Sequence, residues 1–574
     1  MFSAAELVKQ TTIINMNIRF LVFSGLLLLL WSSCARVDEK DNKDQPNFLF
    51  ILTDDQERDE FNFLPEGKNE DGTSKNLCPT IDKLAQEGVI FSGLHCPSPL
   101  CVPSRFNYLT GQYASRATNH WFTDLHKLHA HTFVAQEPKL TPDVPTLAKQ
   151  LKSLGYKTGF VGKDHTLEVD GWHKLAVDAD VTSESSVKQL QKNDSLLEAA
   201  FHKMGFDFAD RIYHTNPKAH GPAAISVHNM DWITEGAFEF LDNLDDEPFY
   251  LVYSTTVPHG PHNGWKTDPR ATPSGILDED PDIGVDRSTI PSRLKEKNIH
   301  PGKGDILWLD DNILALIDKL KKKGIYENTI IVYVSDHGVE SGKTTAYEGG
   351  MSTTGFITGP GIRKGVQNAS LTSTVDLVPT IMDMAGGNPK DYPYDGLSLL
   401  PILSGKKEKI RESVYGEMGH SRAVIKGKYK YIALRYSDYT RNMSVSERQA
   451  WLDAMTKYMH AIGREPFDNN INGPFGHSGH IPGGWDNEWG AMNKYPAYFD
   501  ADQLYNLEED PNEQDNLAYK SEYQDVLREM KAELSKYIEK LPGGFAEFKE
   551  DEYRDLPEDS VLEAARRLRK DVFH

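Results

Sequence analysis

Cysteine is scarce in this sequence: the 574 residues contain four, Cys34, Cys78, Cys96 and Cys101. This scarcity excludes a small disulfide-stapled module, which depends on many paired cysteines in a short chain. The thiols are therefore expected to serve chemistry or packing. Cys78 and Cys96 are expected to be buried as small apolar residues, with a single disulfide as the alternative.

Positive charge is also scarce. The sequence has 63 Lys and Arg residues against 85 Asp and Glu residues, a formal net charge of -22. Such an acidic chain disfavours nucleic acid as a partner, because nucleic-acid binding relies on cations that neutralise phosphates. An anionic substrate would need a local group of cations on this acidic background.

No apolar run reaches the roughly 20 residues that a membrane-spanning helix needs. The run from Phe20 to Trp31 follows Arg19 and leads into Ser32, Ser33 and Cys34. We interpret residues 1–33 as a signal peptide of the lipoprotein type, with Cys34 as the residue that would be acylated. The expected location is the periplasm or the outer membrane and cell surface, with membrane contact only through that lipid.

Wholly apolar segments alternate with helical patterns along the first part of the chain. The segments from Asn47 to Leu52, Thr158 to Val161, Phe249 to Ser254 and Ile330 to Val334 predict strands that are buried on both faces. Residues 305–323 have the apolar spacing of a helix. The alternation predicts an α/β sheet with helices on both faces.

Polar clusters follow each of these four strands. They are Thr53-Asp54-Asp55, Gly162-Lys163-Asp164-His165, Val257-Pro258-His259 and Ser335-Asp336-His337-Gly338. Ligand sites in such sheets lie beyond the carboxyl ends of the strands. We therefore expect the four clusters to converge on one site.

A further motif lies between Pro99 and Gly111, where Cys101-Val-Pro-Ser-Arg105 is followed by Leu-Thr-Gly. This segment resembles the signature of the type I, formylglycine-dependent sulfatases of the alkaline phosphatase superfamily, in particular the exported bacterial sulfatases of polysaccharides. The similarity continues in family order through the four polar clusters, then through Lys343 to Gly350, Val375 to Thr380 and Leu504 to Pro511. It implies an alkaline-phosphatase-like α/β fold, with a large mixed sheet sandwiched by helices and a smaller C-terminal α+β subdomain of antiparallel sheet plus helix.

The resemblance implies a modified nucleophile and a metal ion. Cys101 matches the cysteine that is oxidised to formylglycine (3-oxoalanine), and Pro103 and Arg105 match the residues that the formylglycine-generating maturation enzyme recognises. Carboxylates are the hard oxygen donors that calcium prefers, so one Ca²⁺ is expected, with Mg²⁺ as the lesser alternative. The positions that match metal ligands are Asp54, Asp55, Asp336, His337 and Cys101 as formylglycine.

The resemblance also assigns the cations and the proton carriers. Arg105, Lys163 and Lys343 match the cationic residues around the nucleophile and the sulfate. His165 matches the residue proposed to deprotonate the hydrated aldehyde, and His259 matches the proposed proton donor to the leaving alcohol. Histidine suits both tasks because its unperturbed pKa, about 6.5, lies near working pH.

The expected domain organisation follows from the same similarity. It comprises a linker at 34–45, a catalytic domain at 46–405, a C-terminal subdomain at 406–549 and a charged tail at 550–574. Residues 436–499 are rich in aromatic residues, His and Gly, and we expect a long inserted loop there, over the mouth of the active site. One departure is Met351-Ser-Thr353, which stands where the family usually has Arg-Val-Pro. The residues predicted to contact substrate are His120, Trp121, His262, His477 and Trp485.

The function that the resemblance implies is hydrolysis of sulfate esters on a carbohydrate, either an algal polysaccharide such as ulvan or a glycosaminoglycan. Two alternatives stay open from the sequence. One is a phosphonate monoester or phosphodiester hydrolase of the same superfamily. The other is a non-catalytic glycan-binding lipoprotein that keeps the fold.

Overall fold

Two main sheets, a short two-stranded sheet of Ala271–Thr272 with Gly275–Ile276, and the covering helices form the computed structural model. The structure describes residues 45–461, 465, 469–479, 481–484 and 486–550. The predictions for the signal peptide, Cys34, Trp485 and residues 551–574 of the tail lie outside these residues. The strands are β1 Asn47–Asp54, β2 Gly88–His95, β3 Lys157–Lys163, β4 Phe208–Tyr213, β5 Phe249–Pro258, β6 Ala271–Thr272, β7 Gly275–Ile276, β8 Thr329–Ser335, β9 Ser352–Thr358, β10 Val366–Asn368, β11 Thr372–Ser373, β12 Ser413–Met418, β13 Ser421–Lys426, β14 Tyr429–Leu434 and β15 Asp502–Asn506.

The helices lie mainly between the strands. They are α1 Pro79–Gln86, α2 Cys101–Thr110, α3 His120–His129, α4 Leu147–Lys152, α5 Glu184–Lys203, α6 Met230–Asp242, α7 Ile290–Glu296, α8 Gly304–Lys322, α9 Glu348–Met351, α10 Leu377–Met384, α11 Leu400–Leu403, α12 Asp438–Arg441, α13 Val445–Ala461, α14 Asp486–Lys494 and α15 Gln524–Ile538. Within the described ranges, none has the length and apolar character needed to cross a membrane.

The large sheet is mixed, with strand order β10-β2-β9-β8-β1-β5-β3-β4 and β11 beside β2. Strand β1 pairs in parallel with β5 and β8, and β3 pairs in parallel with β5 and β4. Strand β9 runs antiparallel to β2 and β8. The carboxyl ends of β1, β3, β4, β5 and β8 therefore meet at one edge of the sheet. This confirms the predicted mixed sheet.

Apolar cores cover both faces of the large sheet. Along β1, Phe48, Phe50 and Leu52 enter one core with residues of α4, α5 and α10. The intervening Leu49 and Ile51 enter a second core with residues of α6 and α8. Because successive strand residues face opposite sides, a strand buried on both faces must be apolar throughout. Burial of each such side chain contributes about 1.5–3 kcal/mol.

The C-terminal sheet is antiparallel, with order β12-β13-β14-β15. Helix α15 packs against it through Leu527, Met530, Leu534 and Ile538, which share a core with Tyr431 of β14. This is the predicted antiparallel sheet plus helix. Residues 45–550 nevertheless belong to one compact unit.

The insertion between β14 and β15 is more ordered than a loop. It contains α12, α13 and α14, so the prediction of a long loop over residues 436–499 is wrong in this respect. In α13, Trp451, Met455 and Met459 recur every four residues and therefore share one helical face. They form an apolar core with Leu125 of α3 and with Leu100, which directly precedes α2.

Candidate active site

Polar residues from four strand ends meet at the carboxyl edge of the large sheet. Asp54 ends β1 and Lys163 ends β3, while His259 directly follows β5 and Asp336 directly follows β8. Helix α2 brings Cys101 to the same edge, with every residue of this helix buried. The predicted convergence of the strand-end clusters is thus found in the structure.

Four potential metal ligands form the centre of this region. The donor atoms of Asp55, Cys101, Asp336 and His337 all lie within 4.8 Å of one another. Cys101 is the first residue of α2 and is 3% exposed. Its Sγ lies 3.4 Å from His337 Nε2 and 3.9 Å from Asp55 Oδ1.

The donor set fits a divalent cation. Burial disfavours a charged His337, but the Asp336 carboxylate and the hydrogen bond with Cys101 raise the pKa of His337 to about 9. The groups around His337 therefore favour a positive charge at this position, and their effect exceeds the cost of burying that charge. The carboxylates of Asp55 and Asp336 supply oxygen ligands of the kind that Ca²⁺ and Mg²⁺ bind, so these two residues and His337 could hold such an ion.

Asp54 lies beside this cluster rather than within it. Lys163 Nζ donates to both of its carboxylate oxygens, at 2.8 and 2.6 Å. Burial would raise the pKa of Asp54, but Lys163, His259 and Arg105 hold it well below the usual range. The Arg105 guanidinium links Asp54 to the cluster, because its Nη2 lies 3.1 Å from Asp54 Oδ1 and 3.3 Å from Asp336 Oδ2. A ligand role for Asp54 stays a prediction.

Lys343 lies on the other side of the cluster. Its Nζ donates to both oxygens of Asp55, at 2.7 and 2.6 Å. Although burial opposes both charges, the pair lowers the pKa of Asp55 and raises that of Lys343. Lys343 is only 8% exposed, so its ammonium is fixed close to Cys101.

The loop that carries Lys343 is anchored to the C-terminal sheet. Glu348 lies five residues further along, and its Oε1 lies 2.9 Å from Nζ of Lys430 in β14. Glu513 lies 2.9 Å from the same Nζ, and its Oε2 accepts the backbone N–H of Glu348 at 2.7 Å. Because these contacts are buried, the second sheet helps to position the Lys343 loop.

The two predicted proton carriers flank the cluster. His259 Nε2 lies 3.5 Å from Asp55 Oδ2, and burial lowers the pKa of His259 despite the opposing Asp54 charge. His165 Nε2 lies 3.5 Å from Thr215 Oγ1. Burial and the charge of Lys163 keep the pKa of His165 well below its usual value, so this imidazole is neutral near pH 7.

The sequence analysis missed two side chains that contact these residues. Ser254 Oγ accepts from Arg105 Nη1 and donates to the Lys163 carbonyl, both at 2.6 Å. Asn216 Oδ1 accepts from Lys163 Nζ at 2.5 Å. Asn216 belongs to a polar segment that follows the apolar end of β4, so the strand-end pattern could have identified it. Ser254 lies inside β5 and carries no such signal.

The predicted substrate contacts are dispersed. His262 lies three residues after His259, with 63% of its side chain exposed and its Nδ1 3.3 Å from Asp305 Oδ2. His120 lies on α3 with 69% of its side chain exposed, 3.3 Å from Asp124. Trp121 is half-buried against the apolar core of the insertion. Substrate contact by these residues stays a prediction.

His477 is a correction to the predicted substrate contacts. Its side chain is fully buried, its ring stacks on Tyr498 with centroids 3.9 Å apart, and its Nε2 lies 2.5 Å from the Tyr498 carbonyl oxygen. Burial also lowers the pKa of His477 to about 4. His477 is therefore a neutral packing residue of the insertion.

Comparison with known proteins gives a consistent result. Residues 46–387, more than half of the chain, match the Sulfatase family. The ulvan-active sulfatase of Formosa agariphila is 24% identical over 491 residues, which cover 85% of this chain and 78% of that protein. The extracellular sulfatase SULF-1 homolog of Drosophila melanogaster is 26% identical over 446 residues, covering 68% of this chain and 36% of that longer protein.

A solved structure has the same fold. It comes from a study of glycosaminoglycan metabolism by Bacteroides thetaiotaomicron and is 20% identical in sequence, with a TM-score of 0.56. The match covers 86% of this chain and 99% of that chain. The shared architecture includes the large mixed sheet and the antiparallel C-terminal sheet, as predicted.

Proposed function

The chain belongs to the sulfatase family, and from this membership we propose that it hydrolyses sulfate esters of carbohydrates at the cluster around Cys101. The observation that carries the proposal is the position of Cys101. It begins a buried helix and lies 3.4 Å from His337 and 3.9 Å from Asp55, whose carboxylate is bonded to Lys343.

Conversion of Cys101 to formylglycine is part of the proposal. The hydrated aldehyde would supply one hydroxyl to attack sulfur and a second to expel sulfate from the enzyme, which a thiol cannot do. This step requires a maturation enzyme that recognises Pro103 and Arg105. The position of Cys101 beside groups that could bind a metal ion supports the proposed conversion. The positive charge of such an ion would polarise the hydroxyl that attacks sulfur.

The bound cation is proposed to be Ca²⁺, with Mg²⁺ as the alternative, held by Asp55, Asp336 and His337, with Asp54 as a further proposed ligand. It would supply Lewis-acid charge next to the nucleophile. Lys163 and Lys343 would bind sulfate oxygens, because each ammonium already lies at this edge with its carboxylate partner. Fixed cations stabilise developing negative charge without reorganising during the reaction.

The histidines are proposed to move protons. His165 has a lowered pKa, and a neutral imidazole can accept a proton from the nucleophile. His259 Nε2 lies 3.5 Å from Asp55 Oδ2, and His259 would donate a proton to the leaving alcohol. Arg105 has a different role, because its guanidinium is buried among Asp54, Asp336 and Ser254 and holds the carboxylates in place.

A sulfated carbohydrate is the proposed substrate class. The ulvan-active sulfatase of Formosa agariphila supports this choice, since it aligns over most of both chains. His262, three residues after His259, and His120 on α3 are exposed and could contact sugar hydroxyls or a second anionic group.

A comparison of leaving groups and esters tests the proposed activity. Hydrolysis rates on an aryl sulfate, a panel of sulfated oligosaccharides, a phosphate monoester, a phosphodiester and a phosphonate monoester should be measured on the matured protein. We expect kcat/KM to be highest on sulfate esters. A higher value on the phosphodiester or phosphonate would establish the alternative hydrolase, and no turnover on any ester by protein with converted Cys101 would favour a binding protein.

We also propose export through residues 1–33 and acylation of Cys34. The extracellular relative supports an exported location. Metabolic labelling with a fatty-acid analogue tests the anchor: the wild-type protein should take up the label, and Cys34→Ala should not. Label in both proteins would place the lipid elsewhere, and label in neither would remove the anchor from the proposal.

A further inference from the structure

His165 has an unusual backbone conformation. Its φ angle is 64°, in the left-handed region that residues other than glycine rarely adopt. Such a conformation costs about 1 kcal/mol or more and persists only where surrounding contacts enforce it. The contacts around His165 therefore identify the residues that aim its imidazole.

The segment on the carboxyl side of His165 is fixed by Asp164. Asp164 Oδ1 accepts hydrogen bonds from Thr166 N at 2.8 Å, Thr166 Oγ1 at 2.8 Å and Leu167 N at 3.2 Å. Asp164 Oδ2 lies 2.8 Å from His214 Nδ1. The carboxylate is buried and its pKa is lowered, because the contacts with His214 and Thr166 outweigh burial.

Lys139 completes the arrangement from a different segment. Its Nζ donates to the His165 carbonyl oxygen at 2.9 Å. The His165 N–H donates to the His214 carbonyl oxygen at 3.3 Å. Both backbone polar groups of His165 are thus bonded to other parts of the chain, and only the bond from Lys139 comes from a charged side chain.

We propose that Lys139 is a positioning residue for His165, which it serves by fixing the carbonyl of that residue and by placing a positive charge beside the imidazole. The inference rests on the proposed role of His165 as the base. Lys139 does not contact the Cys101 cluster in the structure, so its effect on turnover passes through His165.

The charges that face His165 determine the expected pH dependence. Burial contributes most to its lowered pKa, followed by the positive charges of Lys163, Lys139 and Arg105, whereas Asp54 acts in the opposite direction. Removal of the Lys139 charge therefore raises the pKa of His165. At pH values near that pKa the fraction of neutral imidazole then falls, and the acid limb of the kcat/KM profile moves to higher pH.

Three variants of the full-length, matured protein test the inference. Lys139→Met removes the donor and the charge, Lys139→Arg keeps both, and Lys174→Met removes a charge from an exposed position as the control. In Lys139→Met we expect kcat on an aryl sulfate to fall about tenfold with little change in KM, because misplacement of a reacting group mainly affects the chemical step. The acid limb of the kcat/KM profile of Lys139→Met should move to higher pH. Lys139→Arg should recover most of the rate, and Lys174→Met should match the wild type.

An unchanged rate and acid limb in folded Lys139→Met would overturn the inference, as would equal losses in Lys139→Met and Lys139→Arg. If Lys139→Met does not fold, Lys139→Gln keeps an N–H donor without the charge and should still move the acid limb upward; an unmoved limb there overturns the proposal. His165→Ala distinguishes the proposed role of His165 as the base from the proposed positioning role of Lys139. Full turnover in His165→Ala would refute the proposed base, whereas lost turnover there with an unaffected Lys139→Met would refute only the positioning role.

Discussion

The guanidinium of Arg105 joins Asp54 to Asp336, at 3.1 and 3.3 Å. Asp54 ends β1 and Asp336 directly follows the neighbouring parallel strand β8, and both carboxylates are fully buried. One cation on helix α2 therefore offsets the repulsion between two charges that the sheet brings together. The same contact fixes the helix that begins with Cys101, so charge balance at the strand ends and placement of the nucleophile depend on one side chain.

Loss of this cation should destabilise the protein strongly. Arg105→Met leaves Asp54 and Asp336 with less compensation in a buried site, and removal of one partner from a buried ion pair costs about 3–5 kcal/mol. Urea denaturation should show a loss of that order. Arg441→Met is the matched control, since its pair with Asp438 is exposed and such pairs contribute about 0–1 kcal/mol. Equal losses in the two variants would contradict the bridging role.

Removal of the divalent cation should abolish turnover. After treatment with a chelator we expect activity to fall to background and to return with Ca²⁺. Asp336→Asn should weaken Ca²⁺ binding in calorimetry, because it replaces a charged oxygen ligand. Asp318→Asn, at an exposed position of α8, should bind as the wild type does. Full activity in chelator-treated protein that is shown to be metal-free would contradict the assigned site.

His259→Ala should discriminate between leaving groups. A sugar alcohol is a poor leaving group and needs a proton, whereas an activated aryl alcohol leaves readily without one. We expect kcat to fall by about 10²–10⁴ on a sulfated sugar and much less on a nitrophenyl sulfate. Equal losses on the two esters would show that His259 acts in some way other than proton donation.

Glu137 should make stability depend on pH. Burial raises the pKa of this carboxyl from 4.5 to about 7. Between these pH values Glu137 keeps its proton in the folded state and has released it in the unfolded state. The contribution of Glu137 to the free energy of unfolding is therefore full below pH 4.5 and is lost as the pH rises through 7. Relative to Glu137→Gln, the wild type should therefore lose up to about 3 kcal/mol of unfolding free energy from pH 4.5 to 7.5.

The control for Glu137 is Glu184→Gln, at a position whose side chain is 83% exposed. Denaturant unfolding of the three proteins across this pH range gives the comparison. The control should follow the wild type at every pH. If Glu137→Gln also follows the wild type, folding does not raise the pKa of Glu137.

The strand ends were predictable because their physical cause is local. A strand buried on both faces must be apolar throughout, so β1 and β8 are visible as uninterrupted runs, and the first polar residues after them, including Asp55 and Asp336, mark the sheet edge. The resemblance then supplied roles for Cys101 and the lysines. Parallel pairing turned separate sequence clusters into one site.

Other features depend on contacts between distant segments and could not be predicted in this way. Lys139 has no motif, and only the folded chain places its Nζ against His165. His477 looked like a loop residue because its neighbours are Gly and Ser, yet packing on Tyr498 buries it. The helical spacing of Trp451 and Met455 was present in the sequence, but the surrounding aromatic and polar residues obscured it.

The most direct test of the central claim combines mass spectrometry of the peptide that contains Cys101 with turnover of the same preparation on a sulfate ester. Production with a maturation enzyme should convert Cys101 to formylglycine, and turnover should rise in proportion to the converted fraction. Cys101→Ala should fold as the wild type does and show only background hydrolysis. Wild-type turnover in Cys101→Ala, or in a preparation whose Cys101 is wholly unconverted, would contradict the account.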